Sequence, residues 1–265
     1  MSDPITKAAN SLWEAARTGR ACAPVRLLLG ESGVEAAYAV QERNTERRLA
    51  EGARLVGRKI GLTAKSVQAQ LGVDQPDYGM LFHDMDVANG GEIPWGRLIQ
   101  PKVEAEIAFI LGRDLDDDRL TTADLLSAIA WAVPALEIVD SRVEGWNIRI
   151  ADTVADNASS GLFVLGHEMR RLDALDLIGC GMALERDGEL VSSGAGAACL
   201  GSPVNAALWL ARVMARAGRP LKAGDVVLSG ALGPMVPATP GAAFEARIEG
   251  LGTVRVGFGK EGSSQ

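Results

Sequence analysis

From residue 55 onward the chain is a succession of short β-type runs set off by glycine: LVGRKIGL, VEAEIAFIL, LEIVDSRV, GLFVLG, CGMALER, ELVSSG, DVVLSG, FEARIEG and TVRVGF. Short runs rich in Val, Ile and Phe and bounded by turn residues read as strands. Asp187-Gly188, between MALER and ELVSS, is a favoured two-residue hairpin turn because both positions tolerate positive φ, so the strands around it are expected to be antiparallel. Two helices are expected to interrupt the sheet. One opens at Thr121 with Asp124 three residues on; the other is framed by Ser202, Pro203 and, after ARVMARA, Gly218. Strands and helices do not alternate regularly, which argues against a Rossmann or TIM architecture. The expected fold is α+β, a mixed β-sheet rolled into a barrel-like body.

Ahead of this body, Asp3 as N-cap, Pro4 at the first helical position and Gly19 bracket a helix over residues 4 to 18. Val34, Ala37, Tyr38 and Gln41 recur at helical spacing in a second, over 33 to 51. The expected organisation is an N-terminal helical appendage over 1–54 and a β-rich body over 55–265, together a single domain. With 265 residues and 47% hydrophobic content, the chain can bury a substantial core. No repeat or low-complexity linker is evident, and KEGSSQ reads as a loose tail.

Charge narrows the partners. Acids outnumber bases by 34 to 27, so no basic face is available for phosphate backbones, and nucleic acid is excluded as an expected partner. The opening MSDPITKAANSLWEAARTG has no export or transit signature, and a cytoplasmic protein is expected. No stretch reaches the roughly 18 uninterrupted apolar residues of a membrane span. The richest, LLSAIAWAVPALEIV, carries a proline and an acid and reads as buried core. Cys22, Cys180 and Cys199 are odd in number and widely spaced, which fits reduced thiols.

The chemistry is suggested by acids in apolar surroundings. In a strand, residues i and i+2 share a face, so VEAEIAF sets Glu104 beside Glu106 while Val103, Ala105 and Ile107 face the other way. An exposed strand alternating charge would mean little, but this one continues as AFIL, apolar on both faces, as a buried strand does. Two buried carboxylates repel and lose hydration, and a cation is the usual remedy. Glu137 is a third acid in an apolar run, AVPALEIV. Three oxygen ligands without Cys or His point to a hard ion, Mg²⁺ or Mn²⁺. The histidines, His83 and His167, are far apart and lie in no zinc or hydrolytic motif. No G-x-S-x-G elbow or phosphate-binding loop is present.

Other residues remain open between two readings. Lys59, in LVGRKIGLT before a helix that Thr63 would cap, is either a snorkelling lysine or one whose pKa is lowered by burial so that it moves protons near neutrality. Asp77 lies in GVDQPDYGML, which reads as turn-rich. ADTVADNASSGLF carries Asp152, Asp156, Asn157, Ser159 and Ser160 before Gly161 and suits either close approach to a ligand carboxylate or a plain turn. SGALGPMVPATPG is equally a pocket wall or a loop.

VGRKIGLTAKSVQAQLGVDQPDYGMLF, QPKVEAEIAFIL, PALEIVDSR, DTVADNASSG and GDVVLSGALGPM, in that order, closely resemble the 2-keto-4-pentenoate hydratases, in the hydratase and decarboxylase branch of the fumarylacetoacetate hydrolase superfamily. The likeness runs over almost the whole chain. It implies strands rolled around a metal site in a homo-oligomer, a pentamer or decamer, and Mg²⁺ or Mn²⁺ held by Glu104, Glu106 and Glu137. It further implies Lys59 and Asp77 as catalytic residues, with Leu62, Asn157, Ser159 and Ser160 binding substrate. The implied reaction is hydration of 2-hydroxypenta-2,4-dienoate to 4-hydroxy-2-oxopentanoate in meta-cleavage aromatic catabolism. The alternative is 2-oxo-3-hexenedioate (4-oxalocrotonate) decarboxylation, with a non-catalytic partner subunit a further one. Association with an aldolase or decarboxylase of the same pathway is also implied.

Overall fold

In the computed structural model, which describes residues 3–30, 33–64, 68 and 75–262, the chain opens with helix α1 (Pro4–Thr18), a single turn α2 (Arg26–Leu29) and helix α3 (Gly33–Ala50). The α1 start is capped as its sequence requires: the Asp3 carboxylate accepts the Thr6 N–H at 3.0 Å, and Gly19 closes the helix at φ 67°. Ala8, Ala9, Leu12, Ala37 and Val40 of the two long helices share a small core with Val143, Val154 and Ala155 of the β-rich body.

The body contains strands β1 (Leu55–Gly61), β2 (Asp77–Phe82), β3 (Asp86–Val87), β4 (Glu92–Ile93) and β5 (Lys102–Leu111). Helix α4 (Thr122–Ala128), strand β6 (Ile129–Val139), helix α5 (Ile150–Ala155) and strand β7 (Ser160–Leu165) follow. The last third holds β8 (Gly181–Arg186), β9 (Glu189–Ala195), helix α6 (Pro203–Arg216), β10 (Val226–Ala231), β11 (Val236–Pro237), β12 (Ala243–Ile248) and β13 (Gly252–Phe258).

One mixed sheet runs β2-β1-β10-β5-β6-β7-β3, with β11 also paired to β5; a second runs β4-β13-β12-β8-β9 and packs against β5 and β6. β1 with β10, β3 with β7 and β4 with β13 are parallel, the remaining pairs antiparallel. The sheets curl around one apolar core that includes Ile107, Phe109, Leu136, Phe163 and Phe244. This is the expected α+β mixed-sheet fold. The Asp187-Gly188 turn joins antiparallel β8 and β9 with φ of 55° and 84°. Thr121 and Asp124 form a reciprocal capping box, and Ser202 and Pro203 open α6. Cys22, Cys180 and Cys199 are free thiols.

Two expectations need correcting. GVDQPDYGML is not all turn: Asp77 begins β2, with five of its six residues buried. The run around Glu137 is longer than LEIV, because β6 starts at Ile129 and continues through Pro134. The helix that Thr63 would cap falls on residues outside the described ones.

Candidate active site

The strand registers gather Lys59, Asp77, Glu104, Glu106 and Glu137 onto one face. Glu104 of β5 lies directly opposite Glu137 of β6, and Glu106 lies one pleat further along, opposite Ala135. Lys59 of β1 pairs with Leu228 of β10, which pairs with Ala108 of β5, so Lys59 shares the glutamates' face. Asp77 pairs with Gly61 and Lys59 with Gly79 across β1 and β2. Gly61, Gly79, Ala108 and Ala135, which share this face with the charges, are small, while Leu228 and Phe163 add apolar bulk to it.

Ligand oxygens of Glu104, Glu106 and Glu137 lie within 4.8 Å of one another. Glu106 and Glu137 are fully enclosed, while Glu104 is partly open. Lys59 Nζ sits 3.0 Å from Glu137 Oε1. Four carboxylates thus face one ammonium. Among the described residues no hydrogen-bond donor reaches Glu106 Oε1, Glu137 Oε2 or Asp77 Oδ1. Buried carboxylate oxygens are normally satisfied, and an all-oxygen set converging on one point fits a hard divalent cation. Glu106 is aimed by its other oxygen, which accepts the Gly230 N–H at 2.8 Å. That donor is free because β10 bulges between Leu228 and Ala231. Gly230 sits at φ 108°, and a Cβ there would press on Thr63 at 2.5 Å, so only glycine fits.

Burial sets the electrostatics first and neighbouring charge second. Burial and Glu137 push the Glu104 carboxyl up to about 7 and the Glu106 carboxyl well above its ordinary value. Asp77 is raised to about 6 by burial, against the pull of Lys59. Burial alone would lower the Lys59 ammonium, as its sequence context suggests. The surrounding Glu137, Asp77, Glu104 and Glu106 outweigh it and hold the ammonium above its ordinary value. Lys59 is therefore a charged acid in the metal-free site.

Of the remaining residues, Leu62 follows β1, and the others lie on a loop that lays its backbone across Gly79. Thr153 Oγ1 is 3.4 Å from both Asp77 Oδ2 and Ser159 Oγ, linking the loop to the charged face. Asn157 accepts from Met80 N at 2.7 Å and donates to Met80 O at 2.9 Å, and Ser160 Oγ donates to Asn157 O at 2.7 Å. These two side chains are occupied in shaping the loop. Leu62 is half-buried with φ 57°, and its carbonyl accepts from Gln68 at 2.7 Å. Thr153, the Gly230 N–H and Lys102, which lies on the glutamates' face with Nζ 4.0 Å from the Trp146 ring centroid, are contributors that sequence reasoning missed. Lys102 alone was legible, at i−2 from Glu104. Both histidines are exposed, away from the carboxylates. A cavity of about 220 Å³ lies between the N-terminal helices and this loop, lined by Gln41, Phe82, Arg142 and Ser160 but by none of the glutamates.

A curled mixed sheet aiming three carboxylates, two of them enclosed, and a lysine at one point defines a divalent-metal-dependent enzyme. The family model for the fumarylacetoacetate (FAA) hydrolase C-terminal region matches residues 43–258, and the chain belongs to that family. It is 64% identical to a "TodF product hydratase" of Pseudomonas putida, over 97% of this chain and 96% of that one. It is 56% identical to a 2-keto-4-pentenoate hydratase of Paraburkholderia xenovorans, over 95% and 94%. Among solved structures, 4-oxalocrotonate decarboxylase from Pseudomonas putida G7, complexed with magnesium and adipate, superposes with a TM-score of 0.92 at 35% identity, covering 96% of this chain and 97% of that one. Among the described residues, no helix is long and apolar enough to cross a membrane.

Proposed function

We propose that the chain is a 2-keto-4-pentenoate hydratase, adding water to 2-hydroxypenta-2,4-dienoate to give 4-hydroxy-2-oxopentanoate, in meta-cleavage aromatic catabolism. The observation that carries this reading is the convergent Glu104, Glu106 and Glu137 cluster with Lys59 3.0 Å from Glu137 and no histidine beside it to activate water for hydrolysis. The high identity to named hydratases supports it.

The three glutamates would hold Mg²⁺ or Mn²⁺, which when bound supplies Lewis-acid stabilisation of negative charge on the substrate's carboxylate and 2-oxygen. The protein's own groups move protons. Lys59, charged at rest, donates to C5 of the dienol and is recharged by the proton that the 2-hydroxyl gives up, leaving a 2-oxo-3-enoate whose C4 is electrophilic. Asp77, linked through Thr153 to Ser159, orients the water that adds at C4, and C3 takes up the balancing proton. Leu62, Asn157, Ser159 and Ser160 form the wall against the substrate's organic end. The loop that carries Asn157, Ser159 and Ser160 is where a monocarboxylate would be told from longer acids. The same reading makes the protein a cytoplasmic homo-oligomer, pentameric or decameric, able to associate with an aldolase or decarboxylase of the pathway. Exposed Leu27, Ile178 and Leu190 are apolar positions suited to such contacts.

A second reading, decarboxylation of the dicarboxylate 2-oxo-3-hexenedioate, is favoured by the superposition on an adipate-bound decarboxylase and by Lys102, a further cation on the glutamates' face. A spectrophotometric assay following loss of dienol absorbance, run on the mono- and the dicarboxylate with and without Mg²⁺, decides. Metal-dependent turnover of the monocarboxylate is expected, and turnover of the dicarboxylate alone would overturn the choice.

A further inference from the structure

Three consecutive residues without a glycine among them, Asn157, Ala158 and Ser159, hold φ of 55°, 52° and 54°. Left-handed backbone crowds Cβ against the following carbonyl, so L-residues visit it singly and not in series. Such a turn persists only where its surroundings over-determine it, and strain of this kind gathers at functional sites. Here the surroundings are explicit. Arg142 donates its backbone N–H to Asp156 Oδ2 at 2.9 Å and Nη1 to Ser160 O at 2.7 Å. Its Nε and Nη2 reach Asp156 Oδ1 and the Asp156 carbonyl. Asp140 N donates to Ser159 O at 2.8 Å, and Ser159 N to Asp156 O at 2.9 Å. On the opposite side the turn is pressed so closely onto β2 that a Cβ at Gly79 would lie 2.3 Å from Asn157 O. Both members of the ion pair are enclosed, Arg142 at 11% and Asp156 at 2% side-chain exposure, so the guanidinium serves the turn and not the solvent.

We propose that Arg142 is a positioning residue for catalysis: with Asp156 it clamps the left-handed turn so that Ser159, and through Thr153 also Asp77, face the metal-binding glutamates. The inference rests on the function proposed above in taking Ser159 and Asp77 as groups that meet the substrate. The clamp acts on the loop alone. Glu104, Glu106 and Glu137 stand on β5 and β6, whose ladder does not depend on Arg142. Loss of the clamp should therefore leave metal binding in place and misplace the groups around the organic substrate.

The tests are Arg142→Lys, which keeps the charge but has one nitrogen and cannot span Asp156 and Ser160 together, Asp156→Asn, and the double variant Arg142→Lys with Ala158→Gly. Calorimetry reads Mn²⁺ affinity and then the affinity of the Mn²⁺-loaded protein for 2-oxopentanoate, a saturated 2-oxo acid that cannot be hydrated; the dienol assay reads kcat. Both single variants should fold and bind Mn²⁺ within about twofold of wild type, bind 2-oxopentanoate about tenfold more weakly, and lose about 100-fold in kcat. Glycine at 158 accepts the left-handed φ without the Cβ penalty, so the double variant should recover about tenfold of the lost kcat. Four results would overturn the proposal: wild-type binding and turnover in Arg142→Lys, a loss of Mn²⁺ affinity in step with kcat, no gain from Ala158→Gly, or failure of both single variants to fold. Wild-type protein that binds 2-oxopentanoate but leaves the dienoate unchanged would sink the hydratase reading alone, and the binding measurements would still decide the clamp.

Discussion

Replacing Glu106 by Gln should abolish turnover and, without metal, make the protein more stable at alkaline pH. The magnitude follows from the geometry. Ligand oxygens of the three glutamates lie within 4.8 Å of one another, and two unit charges at that separation repel by about 3 kcal/mol at an effective dielectric of 20. Burial first and this repulsion second raise the Glu106 carboxyl well above its ordinary 4.5, so the metal-free protein retains protons there. The unfolded chain releases its proton near the ordinary value while the folded chain keeps it. The folded state therefore binds more protons above that pH, and its stability falls as pH rises. The loss begins at the ordinary carboxylate value and continues as pH rises toward the raised one. Glutamine carries no charge, so at alkaline pH the variant should exceed wild type by an amount on the order of that repulsion, about 3 kcal/mol, and by little at pH 5. For a chain of this size that is on the order of 10 °C in melting temperature.

The assay is thermal unfolding followed by circular dichroism on protein stripped with a chelator, at pH 5 and pH 8, then repeated with Mn²⁺. Wild type should gain stability from Mn²⁺ at pH 8, and Glu106→Gln should gain almost none. The reasoning is refuted if the variant is destabilised equally at both pH values, or if Mn²⁺ raises its melting temperature as it does that of wild type.

Lys59→Met should lower kcat by about 10²–10⁴ while leaving Mn²⁺ affinity equal or higher, since an ammonium beside Glu137 opposes a second cation; weaker Mn²⁺ binding by calorimetry would contradict this. Mn²⁺ affinity should fall as pH drops below about 7, where Glu104 takes up its proton, with proton release on binding visible as a buffer-dependent heat. Gly79→Ala should lower stability by about 1–3 kcal/mol and depress kcat more than metal affinity, because the new Cβ would meet Asn157 O at 2.3 Å and displace the turn; unchanged kcat would show that the turn's position is immaterial.

What could be read from the sequence were the features that depend on a strand's period. Glu104 and Glu106 follow from the alternation of VEAEIAF, and Glu137 from being an acid in an apolar run. Features that depend on pairing between distant segments could not be read so. Asp77 looks like a turn residue because Gln75, Pro76 and Gly79 surround it, yet Gly79 is there to admit Asn157, 78 residues away. Pro134 conceals the length of β6, since a proline lacks the N–H a central strand would use. Thr153 and the Gly230 N–H carry no signal at all, being an ordinary helix residue and a backbone atom freed by a bulge. The left-handed turn is hidden most completely, because Asn157-Ala158-Ser159 has no glycine to announce it. Lys59 shows a further limit. Its apolar flanks suggest a lowered pKa, and only the four carboxylates gathered from other strands reverse the sign.

These differences divide the site into two parts with distinct physics. The metal cradle is made of cross-strand neighbours in the middle of a sheet. Like charges placed directly opposite, as Glu104 and Glu137 are, destabilise a strand pair unless a cation lies between them. The cradle is therefore rigid, weakened when empty, and set by the fold. The wall proposed to meet the organic part of the substrate is a strained loop, held by Arg142 and by Gly79 on opposite sides and dependent on side chains that can change without disturbing β5 or β6. Chemistry common to the fold should reside in the first part and discrimination among 2-oxo acids in the second. Substitutions that alter substrate choice are accordingly expected between Thr153 and Ser160, and substitutions that abolish all metal-dependent chemistry at Glu104, Glu106 and Glu137.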